Sequence, residues 1–306
     1  MMERIAIIGA GLMGHGLALV FARGGHQVTV TDTFAGARDT VKARVAATLL
    51  SLGDNPDALD RISVADTLPH AVRDADIVIE AAPEKLALKQ DLFAELEAAA
   101  PPDALLASNT SVIPIGQIAA RVASKHRVLG THWWNPPYLV PLVEVIGTAG
   151  TAPETVQRMM ALLARLGKTP VHVRRDVPGF VGNRLQHALW REAIALVEEG
   201  VCDAETVDLV VKSSFGRRLA VLGPLENADL VGTDLTLDIH NQVLPHLNHR
   251  PGPSPYLEAL NADGKLGFKT NSGFRNWTEG EKTALRAKVL DHLTRVNALL
   301  GGDDAV

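Results

Sequence analysis

The stretch RIAIIGAGLMGHGLALVFARGGHQVTVTD, residues 4–32, decides the fold. It opens on a short apolar run typical of a buried strand, and the glycine turn Gly9–Gly14 follows at once. A helix is predicted from His15 to Arg23, where two glycines end it, and a second strand from Gln27 to Thr31. This order of strand, glycine turn, helix and strand is typical of a dinucleotide-binding βαβ unit.

The glycine turn and the acid that follows it indicate which dinucleotide is bound. Glycine is required where the turn tightens, where the backbone approaches a pyrophosphate and where helix packs on strand, and a purely structural glycine turn is the alternative. Asp32 lies 18 residues after Gly14, at the end of the second predicted strand. Its carboxylate is expected to accept a hydrogen bond from a ribose 2′-hydroxyl and to repel a 2′-phosphate. No cation follows in Thr33, Phe34 and Ala35, so we predict NAD rather than NADP.

Composition excludes several classes of function. The chain has 306 residues and a formal net charge of −5, which argues against a nucleic-acid or anionic membrane surface. No apolar run approaches the ~18 residues that a membrane helix needs, and the N-terminal segment is not a signal peptide. The single cysteine, Cys202, indicates a reducing compartment and is expected to be a structural thiol. We expect a cytoplasmic protein with a small-molecule substrate and no metal.

Alternating strands and helices continue through the first half of the chain. This rhythm predicts a Rossmann-type, doubly wound, mainly parallel sheet, whose ligands lie beyond the carboxyl ends of the strands. We place the NAD-binding domain at residues 1–178 and an all-helical second domain, for substrate and dimerisation, at residues 179–306. A homodimer through the helical domain is expected. The further strands are predicted at residues 76–81, 104–108, 128–131, 142–146 and 171–173, and the helices at 86–100, 115–120, 154–166, 183–199, 204–213, 224–247, 255–261 and 279–300.

One histidine and one glutamate lie at the ends of two neighbouring predicted strands in GTHWWNPPYLVPLVEVI, residues 130–146. The turn signal Asn135-Pro136-Pro137 lies between His132 and Glu144. One interpretation is a strand-end histidine and a solvated glutamate. The other is a catalytic pair, in which the carboxylate orients an imidazole that titrates near neutral pH.

Six ordered motifs decide between these interpretations: GAGLMGHG, EAAPEKLALKQDLF, ASNTSVIPI, GTHWWNPP with LVEVI, LGKTPVHVRRDVPGFVGNRL and GKLGFKTNSGF. With them the chain resembles the L-3-hydroxyacyl-CoA dehydrogenases over nearly its full length. The resemblance implies an NAD-dependent oxidoreductase that moves a hydride between NAD and an alcohol. It implies a catalytic group of His132, Glu144, Ser111 and Asn183. It also implies cofactor contacts at Gly9, Gly11, Leu12, Met13, Gly14, Asp32, Glu84, Lys89, Ser111, Asn135 and Lys269.

The segment after Asp32 departs from the acyl-CoA members of this family. They usually carry a lysine-rich helical hairpin there, whereas this chain retains few cations and has an acidic tip at Asp54, Asp57 and Asp60. A tryptophan pair, Trp133-Trp134, replaces the family's phenylalanines. With these differences the chain resembles family members that act on free hydroxy acids. Examples are the lambda-crystallin-like gulonate dehydrogenases, the carnitine dehydrogenases and the pyridine-carboxylate alcohol dehydrogenases. A free carboxylate needs a cation, and the candidates are Arg184, Arg191, Arg217 and Arg218.

Three alternatives to a free-acid substrate remain open at this point. The first is an ordinary acyl-CoA substrate. The second is a non-catalytic, crystallin-like structural or NAD-binding protein, against which the complete set of candidate catalytic residues argues. The third is a dehydrogenase of the 3-hydroxyisobutyrate type, which uses a helix lysine as its proton shuttle. The helix after Pro178-Gly179-Phe180 contains no lysine, so this last class is disfavoured.

Overall fold

The computed structural model of the chain describes residues 2–300 and contains one eight-stranded sheet. Its strands are β1 (Arg4–Ile8), β2 (Gln27–Thr31), β3 (Ile62–Val64), β4 (Ile77–Glu80), β5 (Leu105–Ser108), β6 (Val128–Trp133), β7 (Leu142–Ile146) and β8 (Thr169–Val173). They lie in the order β3-β2-β1-β4-β5-β6-β7-β8. All neighbouring strands are parallel except β6 and β7. The predicted doubly wound, mainly parallel sheet is confirmed.

The sheet is buried on both faces. Successive side chains of a strand point to opposite sides, so Ile5 and Ile7 of β1 enter one apolar cluster while Ala6 and Ile8 enter the other. Helices cover both clusters, which explains why the central strands are apolar at nearly every position. β4 is the informative exception, because it ends on the fully buried acid Glu80.

Six α-helices belong to the described part of the first half of the chain: α1 (Leu12–Arg23), α2 (Ala35–Leu52), α3 (Leu68–Val72), α4 (Leu86–Ala99), α5 (Ile115–Ile118) and α6 (Pro153–Arg165). The predicted helices that correspond to α1, α4, α5 and α6 are confirmed to within a few residues. The sequence interpretation missed β3, which has only three residues. Helix α2 buries Val41, Val45 and Leu49, a four-residue spacing that keeps one face against the core.

The second half of the chain is helical, as predicted. Its helices are α7 (Gly182–Glu198), α8 (Ala204–Ser213), α9 (Pro224–Val231), α10 (Thr233–Val243), α11 (Pro255–Ala262) and α12 (Glu279–Leu300). The prediction of one continuous helix over residues 224–247 is wrong, because it divides at Gly232. That residue has a φ of 100°, which favours glycine and ends α9 before α10 begins. Across the described residues no helix has the length and apolarity needed to cross a membrane.

The described chain divides into two compact units. One comprises residues 2–184 and 296–300, and the other comprises Leu185–Arg295. The predicted domain boundary between residues 178 and 179 precedes this division and stays a prediction. The end of the predicted second domain, residues 301–306, lies outside the described residues.

Candidate active site

The glycine turn joins β1 to α1 at the carboxyl edge of the sheet. Gly9 has a φ of +107°, and a Cβ there would lie 2.6 Å from the carbonyl oxygen of Ala81 at the end of β4. A Cβ on Gly14 would lie 1.8 Å from the carbonyl oxygen of Gly9, so only glycine lets the helix approach the turn. A Cβ on Gly11 would meet nothing within 4 Å, which leaves the space in front of the helix N-terminus open to a ligand.

Asp32 follows β2 and fixes the same turn. One of its carboxylate oxygens accepts a hydrogen bond from the backbone N–H of Ala10 at 2.7 Å, and the other accepts from the N–H of Phe34 at 2.8 Å. The acid is therefore positioned by the two segments that flank the open space in front of α1. Leu12 and Met13 form the first turn of that helix, whose N-terminal cap Gly11 provides no side-chain hydrogen bond.

His132 and Glu144 are directly opposite each other on the antiparallel strands β6 and β7. Both side chains are buried, with 4% and 1% of their surface exposed, and His132 Nδ1 lies 2.7 Å from Glu144 Oε2. The second carboxylate oxygen accepts hydrogen bonds from the N–H groups of Val181 and Gly182, at 2.9 and 3.0 Å, where α7 begins. The strand register and the start of a helix together hold the acid against the imidazole.

The hydrogen bonds of Glu144 fix its charge. Burial raises the pKa of Glu144, but the hydrogen bonds from His132, Gly182 and Val181 outweigh burial and hold it below its usual value. An ionised carboxylate only accepts hydrogen bonds, so the proton between the two residues lies on His132 Nδ1. In the neutral ring Nε2 is then the unprotonated nitrogen. The pair can therefore take up and return a proton at Nε2.

Aromatic rings enclose the imidazole of His132. The ring centroids of Trp134 and Phe180 lie 5.1 and 5.8 Å from that of His132. The indole of Trp134 also packs on Gly182, where a Cβ would lie only 2.5 Å from Trp134 Cζ2. The second tryptophan, Trp133, is buried in the core beside Phe21.

Ser111 and Asn183 meet in the same region. The side-chain amide of Asn183, itself buried, donates a hydrogen bond to the carbonyl oxygen of Ser111 at 2.8 Å. Glu84 accepts from the hydroxyl of Thr110 and from the N–H groups of Ser111 and Val112, at 2.5, 2.9 and 3.2 Å. Burial raises the pKa of Glu84, but these hydrogen bonds and the charge of Lys89 bring it below its usual value. The loop after β5 is thus fixed by an anion.

Lys89 is not a surface lysine. It is 1% exposed, and its Nζ lies 2.6 Å from Glu80 Oε1 and 3.3 Å from both the Ala82 carbonyl oxygen and Glu84 Oε2. Glu80, which the sequence interpretation missed, also accepts hydrogen bonds from Ser108 and from the N–H of Ala82. A signal for Glu80 exists in the sequence, since a charged residue that ends an otherwise apolar central strand requires a partner.

Two of the predicted cofactor contacts, Asn135 and Lys269, have exposed side chains. Asn135 lies in the loop between β6 and β7 with an exposed side chain. Lys269 belongs to the other compact unit, where it is exposed and lines an apolar cavity of about 580 Å³ with Trp190, Phe268 and Trp277. Their roles as cofactor contacts stay predictions.

Comparison with known proteins identifies the family. The sequence model of the 3-hydroxyacyl-CoA dehydrogenase NAD-binding domain matches residues 4–177, and that of the C-terminal domain matches residues 179–277. The chain belongs to the 3-hydroxyacyl-CoA dehydrogenase family. It is an NAD-dependent dehydrogenase, as the sequence predicted.

Three individual proteins illustrate the range of this family. The chain is 37% identical to the 5-formyl-3-hydroxy-2-methylpyridine 4-carboxylate 5-dehydrogenase of Mesorhizobium japonicum, over 99% of both chains. A crystal structure of an enzyme of that name, described as an NAD⁺-dependent dismutase, has a TM-score of 0.92 and 36% identity, covering 99% of this chain and 100% of the other. A probable 3-hydroxybutyryl-CoA dehydrogenase of Bacillus subtilis is 37% identical, over 90% of this chain and 98% of its own.

The residues of the glycine turn fit NAD, the cofactor of the family. A side chain at Gly9 or Gly14 would collide with the backbone, whereas the space in front of Gly11 is open. The start of α1 presents N–H groups to this space, and such groups bind phosphate. Asp32, at the end of β2, is the residue type that would accept hydrogen bonds from the ribose of NAD.

Proposed function

We propose that this enzyme oxidises the alcohol of a small free hydroxy acid, with His132 as the general base and Glu144 as its partner. The observation that carries the proposal is the buried contact of 2.7 Å between His132 Nδ1 and Glu144 Oε2. Hydroxyl oxidation releases one proton and one hydride. NAD, when bound, accepts the hydride, so the protein has to take up the proton.

The protein's part of this reaction follows from the state of the pair. Nε2 of His132 receives the hydroxyl proton, and the ring becomes a cation beside the carboxylate of Glu144. Burial strengthens the attraction between them, since the effective dielectric constant is lower than in water. In the reverse direction the same nitrogen returns the proton to the carbonyl oxygen of the oxidised substrate.

Ser111 and Asn183 are proposed to hold the reacting oxygen. Within the described part of the chain the Ser111 hydroxyl makes no hydrogen bond and its side chain is exposed, so it is free to bind a ligand. The Asn183 amide nitrogen is engaged with the Ser111 carbonyl oxygen, which fixes the side chain. Both groups suit an oxygen that changes between hydroxyl and carbonyl, because the hydroxyl of Ser111 and the carboxamide of Asn183 can each donate or accept a hydrogen bond.

The cations of α2 favour a free acid over a CoA thioester. Arg38 is paired with Asp39 at 3.2 Å and Asp66 at 3.6 Å. The guanidinium of Arg44 is taken up by backbone carbonyl oxygens. In the described residues only Lys42, of these three cations, has neither an acid nor a carbonyl partner. A CoA nucleotide, with its several phosphates, would therefore meet one free cation on this helix.

A free acid needs a cation near the reacting carbon, and four exposed arginines are candidates. Within the described residues these four form no ion pair: Arg184, Arg191, Arg217 and Arg218. Arginine suits a carboxylate because its two N–H groups match the two oxygens. The relative from Mesorhizobium japonicum, whose name specifies a carboxylate substrate, supports this class.

The test compares kcat/KM for acetoacetyl-CoA with that for a panel of free 3-hydroxy and 3-keto acids and for 5-formyl-3-hydroxy-2-methylpyridine 4-carboxylate, the substrate that the relative's name specifies. Measurable turnover of a free acid, with the thioester much slower, is expected. Efficient turnover of the thioester with all free acids inert would assign the enzyme to acyl-CoA chemistry instead.

We also propose that the enzyme is a homodimer through its helical half. Helices α9 and α10 bury none of their residues, and Leu225, Leu230 and Leu237 are 79%, 73% and 61% exposed. Exposed apolar surfaces of this kind mark sites of protein association. A second copy of the chain is the partner that is always present, and homo-oligomers are common.

Light scattering during gel filtration tests the assembly. The wild type should elute as a dimer, and Leu230→Glu combined with Leu237→Glu should shift it to monomer. Leu50→Glu is the control, because Leu50 is also a highly exposed leucine, at 84%, but lies on α2. A monomeric wild type at micromolar concentration would contradict the proposal.

A further inference from the structure

Arg44 of helix α2 lies on the glycine turn. Its Nη2 donates hydrogen bonds to the carbonyl oxygens of Ala10, at 2.5 Å, and Ala37, at 2.8 Å, and its Nη1 donates to that of Gly11 at 3.3 Å. One guanidinium thus connects the start of α2 to two consecutive peptide groups of the turn between β1 and α1.

The charge of this guanidinium is not neutralised by an acid. All three of its hydrogen bonds go to neutral carbonyl groups, and no described carboxylate forms an ion pair with it. The neighbouring His15 adds no second cation near neutral pH, since burial and the charge of Arg44 hold its pKa below the usual value. Arg44 is therefore a half-buried positive charge directly beside the N-terminus of α1.

Peptide geometry determines what this contact does to the turn. In a trans peptide the C=O and the N–H point in opposite directions. When the carbonyls of Ala10 and Gly11 point at Arg44, the N–H groups of Gly11 and Leu12 point away from it. These N–H groups lie at the helix N-terminus, and a Cβ on Gly11 would face open space. The guanidinium behind the turn thus orients two donors toward that space and increases its positive potential.

We infer that Arg44 is a positioning residue for the pyrophosphate of NAD. It acts through the backbone of Ala10 and Gly11 rather than by touching the phosphates. This role of Arg44 depends only on NAD being the cofactor, so it does not depend on which hydroxy acid is the substrate. It also explains why this cation of α2 is not available to a CoA nucleotide.

The experiment measures cofactor fragments with Arg44→Met, Arg44→Lys and the control Lys42→Met. Lys42 is an exposed cation on the same helix that does not reach the turn. Dissociation constants are determined for NADH by fluorescence and for ADP-ribose and adenosine by displacement. ADP-ribose carries the pyrophosphate, whereas adenosine carries no phosphate.

Arg44→Met should raise the dissociation constants of NADH and ADP-ribose about tenfold or more, because a backbone N–H group that loses its orientation weakens its hydrogen bond to a charged phosphate. Adenosine should bind nearly as well as to the wild type. In turnover, KM for NAD should rise while kcat at saturating NAD changes little. Arg44→Lys should be intermediate, because an ammonium keeps the charge but cannot span the carbonyls of both Ala10 and Gly11.

Two results would overturn the inference. The first is an Arg44→Met enzyme whose ADP-ribose binding matches that of Lys42→Met. The second is an equal loss for adenosine and ADP-ribose, which would indicate general damage to the nucleotide site. If Arg44→Met does not give a cooperative melting transition, the ADP-ribose dissociation constant of folded Arg44→Lys is used instead. A wild-type value in that variant would refute a role for the guanidinium.

Discussion

The carboxylate of Glu144 lies 3.0 Å from the backbone nitrogen of Gly182 and holds His132 with its other oxygen. One side chain therefore connects an imidazole on β6 to the first residues of α7. The N-terminus of a helix stabilises an anion through its free N–H groups and peptide dipoles. Glu144 stays ionised while fully buried because the helix start and the imidazole share its charge.

The first prediction concerns the acid–base pair. His132→Gln should lower kcat by ~10²–10⁴, the contribution of positioned acid–base catalysis, with little change in NADH affinity. Glu144→Gln should also lower kcat severely, since the protonated imidazole loses its counter-charge. Steady-state kinetics and NADH fluorescence titration provide the two measurements.

A second buried histidine provides the control for this prediction. His26 is 2% exposed, and its Nδ1 lies 3.0 Å from a backbone carbonyl oxygen. His26→Gln removes a buried imidazole without touching the candidate site, so the folded variant should turn over normally. Near wild-type kcat in His132→Gln would mean that the dyad assignment is incorrect.

The second prediction is a pH dependence of stability. The native-state pKa of Glu144 is depressed, so its ionised form stabilises the folded chain above the unfolded pKa of ~4.3. This contribution is lost as the pH falls through the lower native-state pKa. The difference in free energy of unfolding between wild type and Glu144→Gln should therefore shrink as the pH falls from about 7 to below 4.

Urea denaturation at several pH values measures this difference. Glu95→Gln, at an exposed position of α4, is the control and should show a small difference at every pH. A Glu144→Gln difference that stays constant down to acidic pH would exclude the proposed charge state of Glu144.

The third prediction concerns the buried ion pair of Lys89 and Glu80. Lys89→Met should lower the free energy of unfolding by ~3–5 kcal/mol, because it leaves the carboxylate of Glu80 buried without its cation. Adding Glu80→Gln to that variant should restore part of the loss. Urea denaturation of both variants tests the pair, with Lys85→Met, an exposed lysine before α4, as control. A stable Lys89→Met that has lost NADH affinity would instead support direct cofactor contact by Lys89.

The fourth prediction concerns cofactor choice. Asp32→Ala should weaken NAD binding and narrow the preference over NADP, because it removes both the acid and the hydrogen bond to the Ala10 N–H. The ratio of kcat/KM values for NAD and NADP is the measurement. Asp39→Ala, an exposed acid on α2, should leave that ratio unchanged. Equal use of both cofactors by the wild type would remove the basis of the assignment.

The partners of the long charged side chains in the site are set by the tertiary structure and not by the local sequence. The resemblance to a family supplied Lys89, but only the folded chain reveals that this lysine is buried against Glu80. Likewise, Arg44 is one of the few cations that the segment after Asp32 retains, and only the structure shows that its guanidinium contacts the glycine turn. A charged side chain several bonds long can reach many partners, and the sequence does not specify which one it contacts.

The sequence by itself determined the parts of this protein that depend on local patterns. Apolar periodicity and glycine spacing specify the first βαβ unit, because backbone sterics and the strand and helix periods act over a few residues. The helical second half follows for the same reason, although its division at Gly232 required the left-handed backbone of that residue.

Only the tertiary structure decided how the candidate site is held together. His132 and Glu144 face each other because the antiparallel register of β6 and β7 pairs them, and a shift of one residue would separate the two side chains. The hydrogen bonds from Val181 and Gly182 to Glu144 join residues far apart in the chain. Such contacts depend on the packing of whole elements, which no short stretch of sequence encodes.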